Sequence, residues 1–192
     1  MKFDYIKFTE EWATLYKPMH HIPGEDSMNK RFHICDSYMT MTEFLQGSMD
    51  PECTPCVITE SQQEGSIQGG MDYPRYTFYF LVRSGETHNG HSAVRAKKDA
   101  KAIMIDFLNF IRMFKYADEY ETDLKAMPLP EDSYLYSLRA AVMDGDPNMS
   151  NLNIEDVVYE SLNELYDTWY GVTFTIDDVN VFNMCVDLSQ YI

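Results

Sequence analysis

Between Ser92 and Tyr116 apolar side chains recur at Ala93, Ala96, Ala100, Ile103, Met104, Phe107, Ile111 and Phe114. This is the i, i+3, i+4, i+7 spacing of an amphipathic helix, and Lys97, Lys98, Lys101, Asp106, Arg112 and Lys115 fall mainly on its opposite side. About 25 residues rising about 1.5 Å each make a rod of about 37 Å, long enough to lie across a whole sheet. Just upstream, before the polar loop Ser84 to Gly90, runs Arg75-Tyr76-Thr77-Phe78-Tyr79-Phe80-Leu81-Val82-Arg83. Its aromatic and β-branched density, with little polar alternation, predicts a strand covered on both faces. A helix that must bury one stripe and a strand that must bury two sides demand a layered fold.

The remaining segments supply the other layers. Tyr5 to Tyr16 reads as a helix with Thr9 as N-cap, stopped by Pro18. Met19 to Asn29, rich in His, Pro and Gly, reads as a loop. Phe32, Ile34 and Cys35 suggest a strand, and Met39 to Leu45 a short helix capped near Thr40 or Thr42. After a second loop, Gly47 to Pro55, Cys56 to Glu60 is a short β run. Ser66 to Asp72, with Gly69-Gly70, reads as a turn or hairpin connection. Tyr134 to Met143 alternates like a strand, and Asp144-Gly145-Asp146-Pro147-Asn148 is a turn. A second helix is expected from Asn153, with Ile154, Val157, Val158, Leu162, Leu165, Tyr166 and Trp169 as its stripe and Gly171 as its terminator. Strands over Val172 to Ile176 and Val181 to Leu188 close the chain, separated by Asp177-Asp178.

This order predicts an α+β fold: a mainly antiparallel sheet with the long helix and a second helix packed on one face. A length of 192 residues fits a single domain, with 1–54 as an N-terminal helical and loop arm and 55–192 as the α+β core.

Charge narrows the function classes. The chain carries 15 basic and 31 acidic side chains, a net of −16. That sign argues against phosphate-backbone binding, and no sequence-specific nucleic-acid partner is expected. No apolar run reaches the roughly 18 residues of a membrane span, and Met1-Lys2-Phe3-Asp4 lacks a signal peptide's apolar core, so a cytoplasmic protein without a membrane partner is expected. Four cysteines are too few to staple a fold of this size. The charge is also uneven: residues 1–60 net −5, 61–117 net +3 and 118–192 net −14. Such a dipolar chain suits contact between unlike surfaces of neighbouring copies, and the 14 Tyr, 11 Phe and 13 Met suit large contact surfaces. Lys97, Lys98 and Lys101, the dense basic patch, are the interface candidates.

Chemistry-bearing motifs are sparse. Cys53-Thr54-Pro55-Cys56 and His88-Asn89-Gly90-His91 together offer four zinc-type ligands in loops beside predicted strands, although H-x-x-H is shorter than the usual spacing. A redox role for the cysteine pair is disfavoured because it runs into a strand, not a helix N-terminus. His20, His21 and His33 lie near Glu25, Asp26 and Asp36, but no H-E-x-x-H, G-x-S-x-G or P-loop accompanies them. Asp144, Asp146 and Asn148 resemble the start of a calcium loop, which Glu155 would close, yet Met149 stands where that loop's glycine belongs. The expectation is therefore no catalytic residue, no cofactor and no metal. Cys53, Cys56, His88 and His91 form the alternative, a small zinc module or metal-dependent enzyme. An acidic intracellular adaptor is a further alternative.

One resemblance gives the reading more content. The run Tyr76 to Val82 leads through a loop into the Ala-rich helix Ala93 to Phe114. Later Leu165-Tyr166-Asp167-Thr168-Trp169-Tyr170-Gly171 leads into Val172-Thr173-Phe174-Thr175-Ile176 and a closing segment with Cys185-Val186-Asp187. Over residues 55–192 this layout resembles tail-terminator and head–tail connector (neck) proteins of tailed bacteriophages and prophages. The resemblance implies a non-enzymatic structural protein of the virion, assembled in the bacterial cytoplasm as a homo-oligomeric ring, hexameric or dodecameric. It also implies neighbouring tail-tube or connector proteins as partners. The first 50 or so residues have no counterpart in the plain version of that fold.

Overall fold

A computed structural model describes residues 3–24, 29–47, 49, 52–61, 64–68, 71–85, 90–146, 149–163, 165, 168–178 and 180–181. In chain order the elements are α1 (Tyr5–Leu15), β1 (Phe32–Cys35), α2 (Tyr38–Gly47), β2 (Cys56–Glu60), β3 (Glu64–Gln68) and β4 (Met71–Arg83). Then come α3 (Gly90–Lys115), α4 (Glu121–Ala126), α5 (Tyr134–Met143), β5 (Leu152–Asn153), β6 (Tyr159–Leu162), β7 (Trp169–Asp178) and β8 (Asn180–Val181). The fold is mixed α+β around one mostly antiparallel sheet, as the element order predicted.

The 13-residue β4 is the spine. Along one side it pairs with β2 and β3, along the other with β7 and β8, all antiparallel. The far side of β7 takes β5 and β6, and β1 joins β2 as the parallel pair. The main path is β1-β2-β4-β7-β5, with β6 beside β5 on the same edge.

Period-two alternation sends β4 into two cores, as expected of a strand covered twice. Tyr76, Phe78 and Phe80, with Val172, Phe174 and Ile176 of β7, face the main core against α1, α3 and α5. Phe107 of α3 is its hub, with ring centroids 4.8 Å from Trp12, 5.2 Å from Phe78 and 5.4 Å from Phe80. Tyr79 and Leu81 face the other way, into a smaller core with Cys56, Ile58 and Trp169 beneath Met41 and Leu45 of α2. Helices thus cover both faces rather than one, and α1 and β1, within residues 1–54, are built into the core and the sheet.

Several local expectations are corrected. α1 is capped by Asp4, whose carboxylate accepts from Lys7 N, while Thr9 lies inside the helix and donates to Tyr5 O. Residues 134–143 are a helix, not a strand. Tyr134, Leu135, Leu138 and Val142 form its buried stripe, Ser133 caps it, and both Glu11 carboxylate oxygens accept from Tyr134 N and Leu135 N at 2.7 Å. The helix expected from Asn153 is absent. Asn153 belongs to β5, Tyr159–Leu162 form β6, and Trp169 opens β7. Pairing with β7 outweighs local helix pattern there, and β-branched Val157 and Val158 favour extended backbone.

Gly171 is therefore a strand residue. A Cβ at that position would stand 2.3 Å from Phe80 O and 2.6 Å from Leu81 Cδ2, so the close approach of β7 to β4 demands glycine. Asp177 and Asp178 do not separate two strands but end β7. The expected Gly69-Gly70 turn and all but Val181 of the expected strand Val181 to Leu188 lie outside the described residues.

Candidate functional site

Cys53 and Cys56 are buried in the smaller core with Cys35. The loop between them is tied down: Arg31 donates to the carbonyls of Thr54 and Pro55, and Thr54 Oγ1 accepts from Arg83 N at 2.9 Å. Burial, reinforced by the neighbouring Cys53, pushes the Cys56 thiol well above its ordinary range, and burial pushes Cys35 up to about 11. As placed, these thiols pack as small hydrophobes. His91 is exposed in the first turn of α3, the helix that covers the other face of the sheet, and His88 lies outside the described residues. Among the described residues no three His, Cys, Asp or Glu side chains come together to hold a metal.

The other motifs are drawn into structural roles. His21 is buried and its Nδ1 accepts from Arg31 N at 2.9 Å, which pins the loop ahead of β1. Burial holds its pKa down at about 4. His33 lies with Nε2 3.0 Å from Lys30 O and its ring 4.8 Å from that of Phe44, and burial again lowers its pKa to about 4. Glu155, the closing carboxylate of the calcium pattern, accepts instead from Tyr116 OH and from Lys115 Nζ at 3.0 Å. The Tyr116 hydrogen bond, followed by Lys115, lowers its pKa to about 2. A groove of about 360 Å³ between α1 and residues 129–133 includes Glu10, Leu15, Pro23 and Leu129, but its Glu11 already caps α5.

The basic patch is partly answered within the chain. Lys97 Nζ donates to Asn163 Oδ1 at 2.7 Å, and Lys101 Nζ donates to Tyr159 OH at 2.5 Å while lying 4.6 Å from the centre of that ring. Lys98 is exposed and makes no such contact among the described residues. These lysines lash α3 to β6 rather than standing apart from the acidic third.

What the sequence did not reveal is the state of the sheet's two ends. β1 closes one and β6 the other, and neither has a further strand beside it among the described residues. The exposed large apolar side chains of the described residues gather at these ends. Ile22, Ile34, Tyr38 and Met39 lie on or beside β1 and α2. Val158 and Tyr159 lie at β6, and Val94 and Ile105 on the flank of α3 that Lys101 joins to it. A β reading of Val157-Val158-Tyr159 would have signalled this edge. No helix of the described residues is long and apolar enough to cross a membrane. No known protein family matches the chain, and comparison with curated proteins finds no match.

Proposed function

We propose that this chain is a non-enzymatic structural subunit that assembles with copies of itself into a ring, as a tail-terminator or head–tail joining component of a phage or phage-like particle. The observation that carries the reading is the pair of open sheet ends, each fringed with exposed apolar side chains and built from different residues. A ring needs heterologous contacts, in which one surface of a subunit meets an unlike surface of the next, and two dissimilar ends supply them. Exposed apolar edges are a hazard that monomers blunt and assemblies use. Charge supports the same reading, because an acidic chain with a local excess of cations in its middle third favours ordered encounter. Tail-tube or connector proteins would then stack on the ring, in the virion.

Size-exclusion chromatography with light scattering, followed by negative-stain electron microscopy, tests this. A closed ring of uniform size is expected. A strict monomer at concentrations of about 100 μM would overturn the proposal, since specific assemblies typically fall well below that dissociation constant.

A further inference from the structure

We propose that the two open ends are each other's partners: β6 of one copy takes β1 of the next copy as its neighbouring strand, so that one sheet continues from subunit to subunit. This rests on the self-assembly reading above and specifies its contact. The strand register supports this pairing. Following the pairings across the sheet, Ile34 is level with Thr59, Phe78, Phe174 and finally Tyr159. One row along, His33 is level with Ile58, Tyr79, Thr173 and Glu160, and the next row runs from Phe32 to Ser161. Both end strands are four residues long and share these three rows. A copy displaced along the hydrogen-bonding direction therefore brings β1 against β6 with no slip along the strands.

Direction agrees. β1 runs with β2, against β4 and hence with β7, whereas β6 runs against β7. A second copy docked with the same face inward thus meets β6 in antiparallel sense, the ladder that is slightly stronger per residue. The carbonyls of Arg31 and Cys35 accept from β2 and the following Ser61. By alternation, the backbone groups of Phe32 and Ile34 point outward, free to extend the ladder.

The side chains match as well. Ile34, 49% exposed, falls opposite Tyr159, 38% exposed, on the face that carries α1 and α3. On the other face His33 falls opposite Glu160. Matched register and strand sense at two open edges make the occupant a second copy. Addition of a strand to an exposed edge gains affinity from main-chain bonds and specificity from alternate side chains.

Disulfide trapping tests the register. Ile34→Cys and Tyr159→Cys in one chain, oxidised under conditions where light scattering shows oligomers, should give a ladder of covalent multimers, while each single variant gives none. Oligomers without a ladder, or a dimer from either single variant, would overturn the pairing and leave the assembly reading standing. Monomers throughout would remove both. A second set uses charge: Ile34→Glu and Tyr159→Lys should each weaken assembly at least tenfold, and combining them in one chain should restore most of it. Equal assembly in all four proteins, with circular dichroism unchanged, would also overturn the pairing.

Discussion

Replacing Phe107 with Ala tests the packing from which everything else is positioned. The ring is fully buried and lies within 6.4 Å, centroid to centroid, of five others: Trp12, Phe78, Phe80, Phe8 and Phe174. Those rings come from α1, β4 and β7, so one truncation loosens the contact of α3 with all three. A phenyl side chain buries at least about 150 Å², which at about 25 cal/mol per Å² is nearly 4 kcal/mol before any cavity or ring-pair contribution. Measured Phe-to-Ala losses of about 3–5 kcal/mol agree. For a chain of this size each kcal/mol moves the melting temperature by about 2–4 °C, so a fall of roughly 10 °C is expected. The assay is urea titration with thermal melting, performed in a Tyr159→Lys background at fixed concentration so that assembly does not add to apparent stability. A loss below about 1 kcal/mol would refute the hub, because a side chain that several elements share cannot be removed so cheaply.

Other outcomes follow from single residues. Gly171→Ala places a methyl group against Phe80 O and Leu81 Cδ2, so β7 must shift from β4 and about 2 kcal/mol or more should be lost on denaturation; a neutral change would contradict the close approach. His21 has a folded pKa of about 4, below its ordinary 6.5. The stability gained by keeping it neutral is therefore full above about pH 6.5 and is lost as pH falls through about 4, a cost of up to roughly 3 kcal/mol. His21→Asn, which retains an acceptor for Arg31 N, should flatten that part of the stability-against-pH curve; parallel curves for variant and wild type would refute the burial argument. Chelator treatment should leave the melting temperature unchanged and Cys53→Ser should cost no more than about 1–2 kcal/mol, whereas stoichiometric zinc retained through dialysis would revive the Cys53, Cys56, His88, His91 alternative.

What the sequence disclosed was whatever a short window encodes. β4 and α3 were legible because their periodicities are unbroken and both elements are buried where the pattern says. α5 was misread because Tyr134, Tyr136 and Leu138 also satisfy a period of two, and what favours the helix includes Glu11, 123 residues away, accepting from its first amides. The stretch 154–169 was misread for a related reason. Its apolar spacing suits a helix, but Val158 is 79% exposed and Trp169 belongs to the opposite core, so no common stripe exists. The lysine patch was found as a cluster, yet sequence could not show that Tyr159 and Asn163 would receive two of its members. The level rows joining Ile34 to Tyr159 depend on successive strand pairings and are invisible before the sheet is assembled.

Hydrogen exchange as a function of concentration addresses the central claim most directly. If one sheet continues between copies, outward-pointing amides of β1, those of Phe32 and Ile34, exchange fast in dilute protein and slowly in concentrated protein. Amides in β6 should gain protection over the same concentration range, while those of β4, already paired on both sides, stay unchanged. Protection that rises together at Phe32 and Ile34 and at Tyr159 and Ser161 is the predicted result. Exchange at these two strands that is independent of concentration, while the protein assembles, would contradict it.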